Sequence, residues 1–366
     1  MVLRSIRAIQ TVLLVLWLGQ SHVVTCSAQA GLSYEHRQSA GPVSMHIAVI
    51  DPHEYSIEAV RALDQGTGRE TVSAMARRER AVVGVNGGFF RIGGDYDGEP
   101  VGILKIEDQW FSDPRLPRAA IGWARDGNTV VIGRVAMRWK IRIGEREYKI
   151  DGLNRERGAW QVVLYTDEFG PSTLAHGGGV ELAVDRGGRV IRATRKGDAA
   201  IPRQGLVVSF GSRRVDDAPS GCIGEPARVS FEFASPEGEP EAAWRKMDFI
   251  VGGTPLLIRH GERIGDYGVE RIRSNFVEER HPRTAVGIRS DGSWVLVVVD
   301  GRNESLSVGM TLAELTDLML SLDCVDALNL DGGGSSTFYL YGQVVNHPSD
   351  LTGERPVSDA ILIKRR

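Results

Sequence analysis

The stretch over residues 328–338 limits the choice of fold more than any other part of the sequence. It runs from an apolar segment into Asp331, continues through three glycines and two serines, and then becomes apolar again. Glycine adopts backbone conformations that other residues avoid, and a two-residue hairpin turn does not need three glycines. The pattern therefore predicts a strand that delivers a carboxylate to the edge of a sheet, followed by a functional loop and a second strand. A plain hairpin turn is the alternative.

Composition favours a globular protein rich in strands. Of the 366 residues, 42% are hydrophobic and 25% are charged, and this length corresponds to about two domains. Glycine accounts for 44 of the 366 residues, a larger fraction than the usual value of about 7%. Such an excess is typical of chains with many turns and strands. The formal net charge of −3 shows no excess of basic residues, so we expect no nucleic-acid partner.

Residues 1–28 have the pattern of a secretory signal peptide. Two arginines precede an apolar run over residues 8–18 that is too short to span a bilayer, and small residues follow, with cleavage expected after Ala28 or Ala30. We therefore expect a protein exported to the periplasm or the extracellular space, with no membrane span after cleavage. Lipidation at Cys26 and an uncleaved anchor are the alternatives.

Cleavage would leave two cysteines, Cys222 and Cys324. They could pair in an oxidising compartment, but they are far apart in the sequence and two cysteines cannot define a disulfide framework. We expect two free or buried thiols. The sequence has no CxxC, HExxH or P-loop motif, so zinc sites and nucleotide triphosphatases lack their usual signatures.

Residues 29–80 are predicted to form strands and one helix. Residues 43–50 and 55–62 have the pattern of two short strands joined by a turn, which predicts a hairpin. Residues 70–80 place apolar side chains on one side and arginines largely on the other, as in a surface helix. From residue 101 to about residue 233, short apolar runs alternate with turn residues, which predicts mostly antiparallel sheet.

Two further segments place polar groups at strand ends. One apolar strand ends in Asn86-Gly87-Gly88, a layout expected where the backbone lies close to a ligand, with a glycine bulge as the alternative. In the other, Arg283-Thr284 stands at the start of an apolar strand. The planar guanidinium of arginine suits bidentate contact with phosphate or carboxylate, and a surface ion pair is the alternative.

The C-terminal part has a strand–helix–strand pattern. An apolar strand over residues 294–299 ends in Asp300-Gly301-Arg302, a capping box at Thr311 begins a helix, and residues 325–330 form the next strand. Such a pattern predicts a right-handed parallel crossover that brings Asp300 and Asp331 to one edge of a sheet, whereas an antiparallel arrangement would separate them. The predicted fold class is α+β: a mixed, largely antiparallel sheet with few helices and one parallel β-α-β crossover near the C-terminus.

These motifs, in this order, resemble those of the phosphodiester glycosidase family. The segments that carry the resemblance are Asn86-Gly87-Gly88-Phe89-Phe90, Gly252-Gly253-Thr254-Pro255, Arg283-Thr284-Ala285, Asp300-Gly301-Arg302, the helix at Thr311, Asn329-Leu330-Asp331-Gly332-Gly333-Gly334-Ser335-Ser336 and Arg355-Pro356-Val357-Ser358. The resemblance assigns residues 81–366 to a phosphodiester glycosidase-like domain. Residues from about 125 to 245 carry few of the motifs and form its variable middle segment.

The resemblance implies hydrolysis of a sugar-1-phosphodiester at the glycosidic bond, which releases a free sugar and a phosphomonoester. An oxocarbenium-like transition state needs a carboxylate near the anomeric carbon, and Asp331, with Asp300 as its partner, is predicted to provide it. We expect no required cofactor and no dedicated metal ligands, and leave open a bound divalent cation. The predicted substrate-binding and phosphate-binding residues are Asn86, Gly87, Gly88, Arg283, Thr284, Arg302, Gly332, Gly333, Gly334, Ser335 and Ser336.

Two other functions remain open from the sequence. A metal-assisted phosphodiesterase would cleave a P–O bond and use Asp300 and Asp331 as metal ligands. A binding module without catalytic activity would hold phosphorylated glycans of the cell envelope.

Overall fold

The computed structural model describes residues 21–114 and 116–366. Within these residues the chain forms 27 strands and four α-helices. The first strands are β1 (Ser21–Gln29), β2 (Leu32–Ser39), β3 (Val43–Ile50), β4 (Tyr55–Arg61), β5 (Val83–Asn86), β6 (Phe89–Phe90), β7 (Pro100–Val101), β8 (Leu104–Ile106), β9 (Gln109–Ser112), β10 (Arg118–Trp123), β11 (Val130–Ile143), β12 (Arg146–Ile150), β13 (Gly152–Leu153) and β14 (Val162–Thr166). The remaining strands are β15 (Val180–Val184), β16 (Val190–Thr194), β17 (Leu206–Phe210), β18 (Ala227–Ala234), β19 (Phe249–Gly252), β20 (Leu256–Arg259), β21 (Glu262–Arg263), β22 (Arg283–Arg289), β23 (Trp294–Val299), β24 (Cys324–Asn329), β25 (Phe338–Leu340), β26 (Gln343–Val344) and β27 (Asp359–Arg365). The helices are α1 (Val72–Arg78), α2 (Glu241–Arg245), α3 (Ser274–Glu278) and α4 (Leu312–Ser321).

Three sheets contribute to the main hydrophobic core. The large sheet has the strand order β1-β2-β3-β23-β22-β24-β20-β21, and the second sheet has the order β12-β11-β10-β19-β8-β9, with β18 also paired to β11. The C-terminal sheet has the order β26-β25-β5-β27-β4. A middle sheet, β13-β14-β17-β15-β16, includes the parallel pair β13 and β14, and β6 pairs with β7. The prediction of largely antiparallel sheet with few helices is confirmed.

The large sheet is covered on both faces, which explains why its central strands are apolar throughout. In β23, Trp294, Leu296 and Val298 face the main core. The alternate residues Val295 and Val297 face a second hydrophobic cluster, to which helix α4 contributes its buried side chains. Because successive side chains of a strand point to opposite faces, β23 contributes to both hydrophobic clusters.

The helix predicted from Thr311 is confirmed. The Thr311 side chain accepts a hydrogen bond from the N–H of Glu314 at 3.2 Å, and the Glu314 carboxylate accepts one from the N–H of Thr311 at 2.9 Å. This reciprocal capping box fixes the start of α4. The strands on either side of α4, β23 and β24, are both antiparallel to β22, which lies between them. They therefore run in the same direction without forming hydrogen bonds to each other.

The predicted hairpin of residues 43–50 and 55–62 is wrong. Strand β3 pairs with β2 and β23 in the large sheet, whereas β4 pairs with β27 in the C-terminal sheet. The turn between them carries the chain from one sheet to another. The same turn residues suit a hairpin and a corner, so only the distant partner strands decide between the two.

The N-terminal strands are part of the sheets that hold the C-terminal strands. Most of the predicted signal peptide, residues 1–20, lies outside the described residues, and β1 covers the rest of it as the edge strand beside β2. Cleavage after Ala28 would remove nearly all of β1 and leave β2 at the edge. Within residues 21–114 and 116–366, no helix has both the length and the apolar character needed to cross a bilayer.

The two cysteines expected to be free are both free and buried. Cys222 packs in the cluster between the second and middle sheets, and Cys324 packs in the cluster under α4. Burial raises the pKa of both thiols, which keeps them protonated at neutral pH.

Candidate active site

The ends of three strands meet where the large sheet adjoins the C-terminal sheet. Strand β24 leads into Asp331, β5 ends at Asn86 and continues into Gly87, and β27 begins at Asp359. The N–H of Asp331 donates to the carbonyl of Gly87 at 3.1 Å, and the N–H of Gly87 donates to the carbonyl of Asp359 at 2.9 Å. These backbone hydrogen bonds bring together the segments at Gly87 and Asp331, which the sequence predicts as parts of the site, and a third segment at Asp359, which it does not.

Asp331 is half-buried in this junction. Its carboxylate accepts a hydrogen bond from the N–H of Gly332 at 2.9 Å and a second one from the Ser335 hydroxyl. Burial, with a further contribution from the charge of Asp359, raises the pKa of Asp331 to about 6, against the opposing effect of these hydrogen bonds and of Arg355. A part-exposed carboxyl group with such a pKa is suited to proton transfer or nucleophilic attack near neutral pH.

Asp359 is a buried carboxyl group that the sequence analysis missed. Only 1% of its surface is exposed, and its Oδ1 accepts a hydrogen bond from the N–H of Gly88 at 2.9 Å. Burial raises the pKa of Asp359, while the Gly88 hydrogen bond and the charge of the buried Arg61 oppose the rise. The charge of Asp359 acts on Asp331, so the two form a carboxyl pair in which the first is part-exposed and the second is enclosed.

Gly87 and Gly88 are needed because Asp359 and Gly252 leave no room for side chains. A Cβ on Gly87 would lie 2.0 Å from Oδ1 of Asp359, and a Cβ on Gly88 would lie 2.9 Å from the carbonyl oxygen of Gly252. The sequence predicts that the backbone at these glycines lies close to a ligand. In the structure it lies close to Asp359 and to the neighbouring strand β19.

Asn86 and Thr284 form the framework beneath the pair. The Nδ2 of Asn86 donates to the carbonyl of Asp331 at 2.7 Å, and its Oδ1 accepts from the Thr284 hydroxyl at 2.8 Å and from the N–H of Thr337 at 3.2 Å. The Thr284 hydroxyl also lies 3.4 Å from that of Ser336. These contacts fix the backbone at Asp331 instead of presenting the Asn86 amide to a ligand.

The predicted glycine loop uses its amides largely to hold itself and Asp331. Gly333 has φ of +61° and donates its N–H to the carbonyl of Pro282 at 2.9 Å, while Gly332 donates to Asp331. A Cβ on Gly334 would lie 2.1 Å from the Asp350 carboxylate and 2.2 Å from the Arg355 guanidinium. The loop is thus a packed 3-10 turn, Gly333–Ser335, and differs from the open amide cradle that the sequence suggested.

Two arginines lie close to this loop. Arg302 is exposed, and its Nη2 would lie 2.9 Å from a Cβ on Gly333. Arg355, which was among the motifs but not among the predicted site residues, binds Asp350 through Nε and Nη2 at 2.7 and 2.8 Å. Its Nη1 lies 3.5 Å from the hydroxyl of Ser335. The charge of Arg355 acts on Asp331 but is shared with Asp350, whereas Arg302 is exposed beside Gly333.

Arg283 is occupied elsewhere. It is 1% exposed and donates hydrogen bonds to the backbone carbonyls of Met310, Phe276 and Glu279, and its guanidinium stacks on the Phe276 ring at 4.9 Å. Burial lowers its pKa to about 10. These contacts anchor the segment that contains α3, and the predicted phosphate contact would have to replace them.

Asp300 lies in a closed hydrogen-bond network. One oxygen accepts from the hydroxyl of Ser44 at 2.8 Å and from His46 at 3.2 Å, and the other accepts from Nδ2 of Asn346 at 3.1 Å and the N–H of His347 at 2.8 Å. Burial alone would raise the pKa of Asp300, but His46 and the other donors hold it below its usual value. With 2% exposure, Asp300 connects β3 to the loop after β26. It makes no contact of this kind with Asp331.

No group of three or more His, Cys, Asp or Glu side chains within the described part of the chain has the spacing of a metal site.

Comparison with known proteins identifies the family. The family model described as phosphodiester glycosidase matches residues 178–364, just over half of the chain. The chain belongs to the phosphodiester glycosidase family. The matched range contains Asp300, Asp331 and Asp359, whereas Asn86 and Gly87 precede it. In this family member, the site therefore combines residues from inside and outside the matched range.

Solved structures share the fold of this family member over most of its length. A hypothetical protein from Synechocystis superposes with a TM-score of 0.79 and 26% identity over 92% of this chain and 63% of that chain. A protein of Burkholderia pseudomallei described as a candidate exported protein superposes with a TM-score of 0.76 and 25% identity over 89% of this chain and 74% of that one.

A named enzyme is similar over a shorter stretch. The bovine N-acetylglucosamine-1-phosphodiester alpha-N-acetylglucosaminidase is 46% identical over 77 residues, which are 21% of this chain and 14% of the bovine protein. The similarity therefore covers only a small part of the bovine enzyme.

Proposed function

We propose that this protein is an exported enzyme that hydrolyses the glycosidic bond of a sugar-1-phosphodiester and releases a free sugar and a phosphomonoester. The observation that carries the proposal is the half-buried carboxyl group of Asp331, whose pKa is raised to about 6 beside the enclosed carboxyl group of Asp359. Family membership supports a substrate in which a phosphodiester is joined to a sugar. The leader-like residues 1–28 support export, as does the similarity to a candidate exported protein.

Asp331 acts at the anomeric carbon in this proposal. At neutral pH its carboxylate is mostly ionised, since its pKa is about 6, and it either attacks the anomeric carbon or removes a proton from the attacking water. Asp359 is the closer partner for this role than Asp300, because its charge acts on Asp331 and Gly87 contacts both. Asp359 raises the basicity of Asp331, and Asp300 acts as a positioning residue through Asn346.

The phosphate of the substrate is the leaving group. The group that leaves the anomeric carbon is a phosphomonoester, which is a stable anion, so neutralising its charge matters more than a strong general acid. Arg302, beside Gly333, and Arg355, beside Gly334 and Ser335, would provide this stabilisation. Arg283 and Asn86 keep the surrounding backbone in place.

Product analysis tests the proposal. The full-length protein is incubated with a panel of sugar-1-phosphodiesters that differ in the sugar, with and without a chelator, and both products are identified. Free sugar with phosphomonoester supports the proposed reaction. Sugar-1-phosphate with an alcohol, or activity that the chelator abolishes, would instead favour a metal-assisted phosphodiesterase. Tight binding without any turnover would favour a binding module.

The pH dependence of the reaction follows from the pKa of Asp331. We expect kcat to fall on the acid side with an apparent pKa near 6, because protonated Asp331 can neither attack nor accept a proton. A pH–rate profile between pH 4 and 8 measures this, because a phosphodiester itself stays ionised throughout that range. A rate that increases as the pH falls through 6 would contradict the assigned role and indicate that protonated Asp331 is the active form.

A further inference from the structure

A cavity of about 390 Å³ is lined in part by Phe89 and Gly253, which directly follow Gly88 and Gly252. Its walls are mainly apolar and include Phe89, Leu116, Ile272 and Phe276. The rings of Phe89 and Phe276 are 6.2 Å apart at an angle of 60° and form one aromatic wall. Val101, at the rim, is 46% exposed. The cavity therefore presents apolar surface to the solvent, where such surface usually marks a binding site.

The cavity is connected to the active site through the backbone. Phe89 directly follows Gly88, whose N–H binds Asp359. Gly253, another lining residue, directly follows Gly252, whose carbonyl oxygen lies against Gly88. A ligand that reaches from Asp331 past these glycines would enter the cavity.

The charged and polar groups of the cavity select the type of ligand. Arg118, Arg271 and Arg273 line it, together with Thr254, whose hydroxyl donates to the buried Glu270. Among the lining residues that the structure describes, there is no carboxylate or carboxamide side chain. A sugar would need such acceptors for its hydroxyl groups, whereas an apolar group attached to an anion meets both the aromatic wall and the positive charge.

The aromatic wall is held in place before any ligand binds. Arg283 stacks on the Phe276 ring and binds the Phe276 carbonyl at 2.8 Å. The residue before Arg283, Pro282, accepts the N–H of Gly333 in the loop that holds Asp331. The segment Pro282-Arg283 therefore holds both the aromatic wall and the loop that holds Asp331. Because the wall is ordered before a ligand binds, the entropic cost of binding is lower.

We propose that this cavity binds the aglycone of the phosphodiester and that the preferred aglycone is an apolar alkyl or aryl group joined directly to the phosphate. This inference rests on the proposed function, because it assigns the group on the far side of the phosphate from the sugar. It makes Phe89 and Phe276 specificity-determining residues and gives Arg271 and Arg273 the role of attracting the anion.

Binding of a product analogue tests the cavity without requiring turnover. Calorimetric titration of the full-length protein with hexyl phosphate, methyl phosphate and hexyl glucoside compares the apolar and the anionic contributions. Each buried methylene strengthens binding by roughly fourfold, so hexyl phosphate should bind at least about tenfold more tightly than methyl phosphate, and more tightly than uncharged hexyl glucoside. Phe276→Ala should abolish the preference for the hexyl group, and Phe276→Leu should largely keep it.

A double variant separates the contribution of the positive charge from that of the apolar wall, and a further variant serves as a control. The double variant Arg271→Gln with Arg273→Gln should weaken hexyl phosphate and methyl phosphate to a similar extent and leave their ratio unchanged. Ile223→Ala removes an apolar side chain that is 67% exposed and does not line the cavity, and it should change neither affinity. Equal affinity for hexyl and methyl phosphate, or a hexyl preference that survives Phe276→Ala, would overturn the proposal.

The proposal for the cavity and the proposal for the reaction can be refuted independently of each other. A hexyl preference that depends on Phe276, in a protein that hydrolyses no sugar-1-phosphodiester, would refute the proposed reaction and retain an apolar, anion-selective site. Hydrolysis with equal kcat/KM for methyl and hexyl sugar-1-phosphodiesters would refute the apolar aglycone and retain the reaction.

Discussion

Asp331→Asn is expected to lower kcat for sugar-1-phosphodiester hydrolysis by at least about a thousandfold. The amide is nearly the same size and can still accept the hydrogen bond that Gly332 donates to the carboxylate. It can neither attack the anomeric carbon nor take a proton from water. The expected loss is in kcat, because the arginines that lie close to the loop remain in place, and steady-state kinetics on a single substrate separate kcat from KM.

The same variant should fold at least as stably as the native protein. The folded state raises the pKa of Asp331 from 3.8 to about 6, so the native protein binds more protons at this carboxyl group than the unfolded chain between these values. The free energy of unfolding therefore decreases as the pH rises from about 4 to about 6, and ionised Asp331 destabilises the protein at pH 7. The amide of the variant carries no charge, so the free energy of unfolding at pH 7 should rise by on the order of 1 kcal/mol, as measured by urea denaturation.

These two results together exclude misfolding as the cause of inactivity. Asp108→Asn, at an exposed position of a turn, is the matched control and should change neither the rate nor the stability. An Asp331→Asn protein that is correctly folded and keeps its kcat would remove Asp331 from the mechanism.

Asp359→Asn has the second largest expected effect, a decrease in kcat of about a hundredfold. The negative charge of Asp359 contributes to the raised pKa of Asp331, so its removal lowers that pKa and makes Asp331 a weaker base and nucleophile. The acid limb of the pH–rate profile should accordingly move to lower pH. Burial also raises the pKa of Asp359 itself, so the uncharged amide is compatible with its enclosed position.

The shift of the acid limb distinguishes this role from a purely structural one. Loss of the Gly88 hydrogen bond would lower the rate at every pH without moving the limb. Gly88 can still donate to the oxygen of the asparagine amide, which makes asparagine a better replacement than alanine. A rate that falls while the limb stays in place would assign Asp359 to backbone support alone.

Asp331 could be selected as a candidate site residue from the sequence because its signal is local. A strand that runs into a carboxylate and three glycines carries its meaning within about ten residues, and the structure accounts for the glycines at Gly333 and Gly334 by left-handed backbone and tight packing. The capping box at Thr311 is local in the same sense, and the helix that it predicts is present.

Asp359 could not be found in this way because its position depends on distant pairing. It begins an ordinary apolar strand, and it reaches the site because Ala360 pairs with Asn86 across the C-terminal sheet. The motif that ends at Ser358 directly precedes Asp359. The sequence does not show whether the carboxyl group at that position is buried or exposed. The failed hairpin has the same cause, because β23, one partner of β3, and β27, the partner of β4, both lie far along the chain.

Asp300 shows the limit of a local pattern. It follows a buried strand and precedes a glycine, as Asp331 does, so the same local pattern predicts a site residue at both positions. The donors that surround Asp300 come from β3 and from the loop at Asn346, about 250 residues before it and about 45 residues after it. Sequence spacing cannot show that one carboxylate is enclosed by donors and the other is left accessible.

Hydrolysis in water enriched in ¹⁸O tests the central claim most directly. Product identity alone leaves one ambiguity, because cleavage of the P–O bond on the sugar side would also give a free sugar and a phosphomonoester. Attack at the anomeric carbon keeps all the original oxygens on the phosphate. Mass spectrometry should therefore find no ¹⁸O in the phosphomonoester after one turnover, and a phosphomonoester that has gained one ¹⁸O would show attack at phosphorus and contradict the glycosidase mechanism.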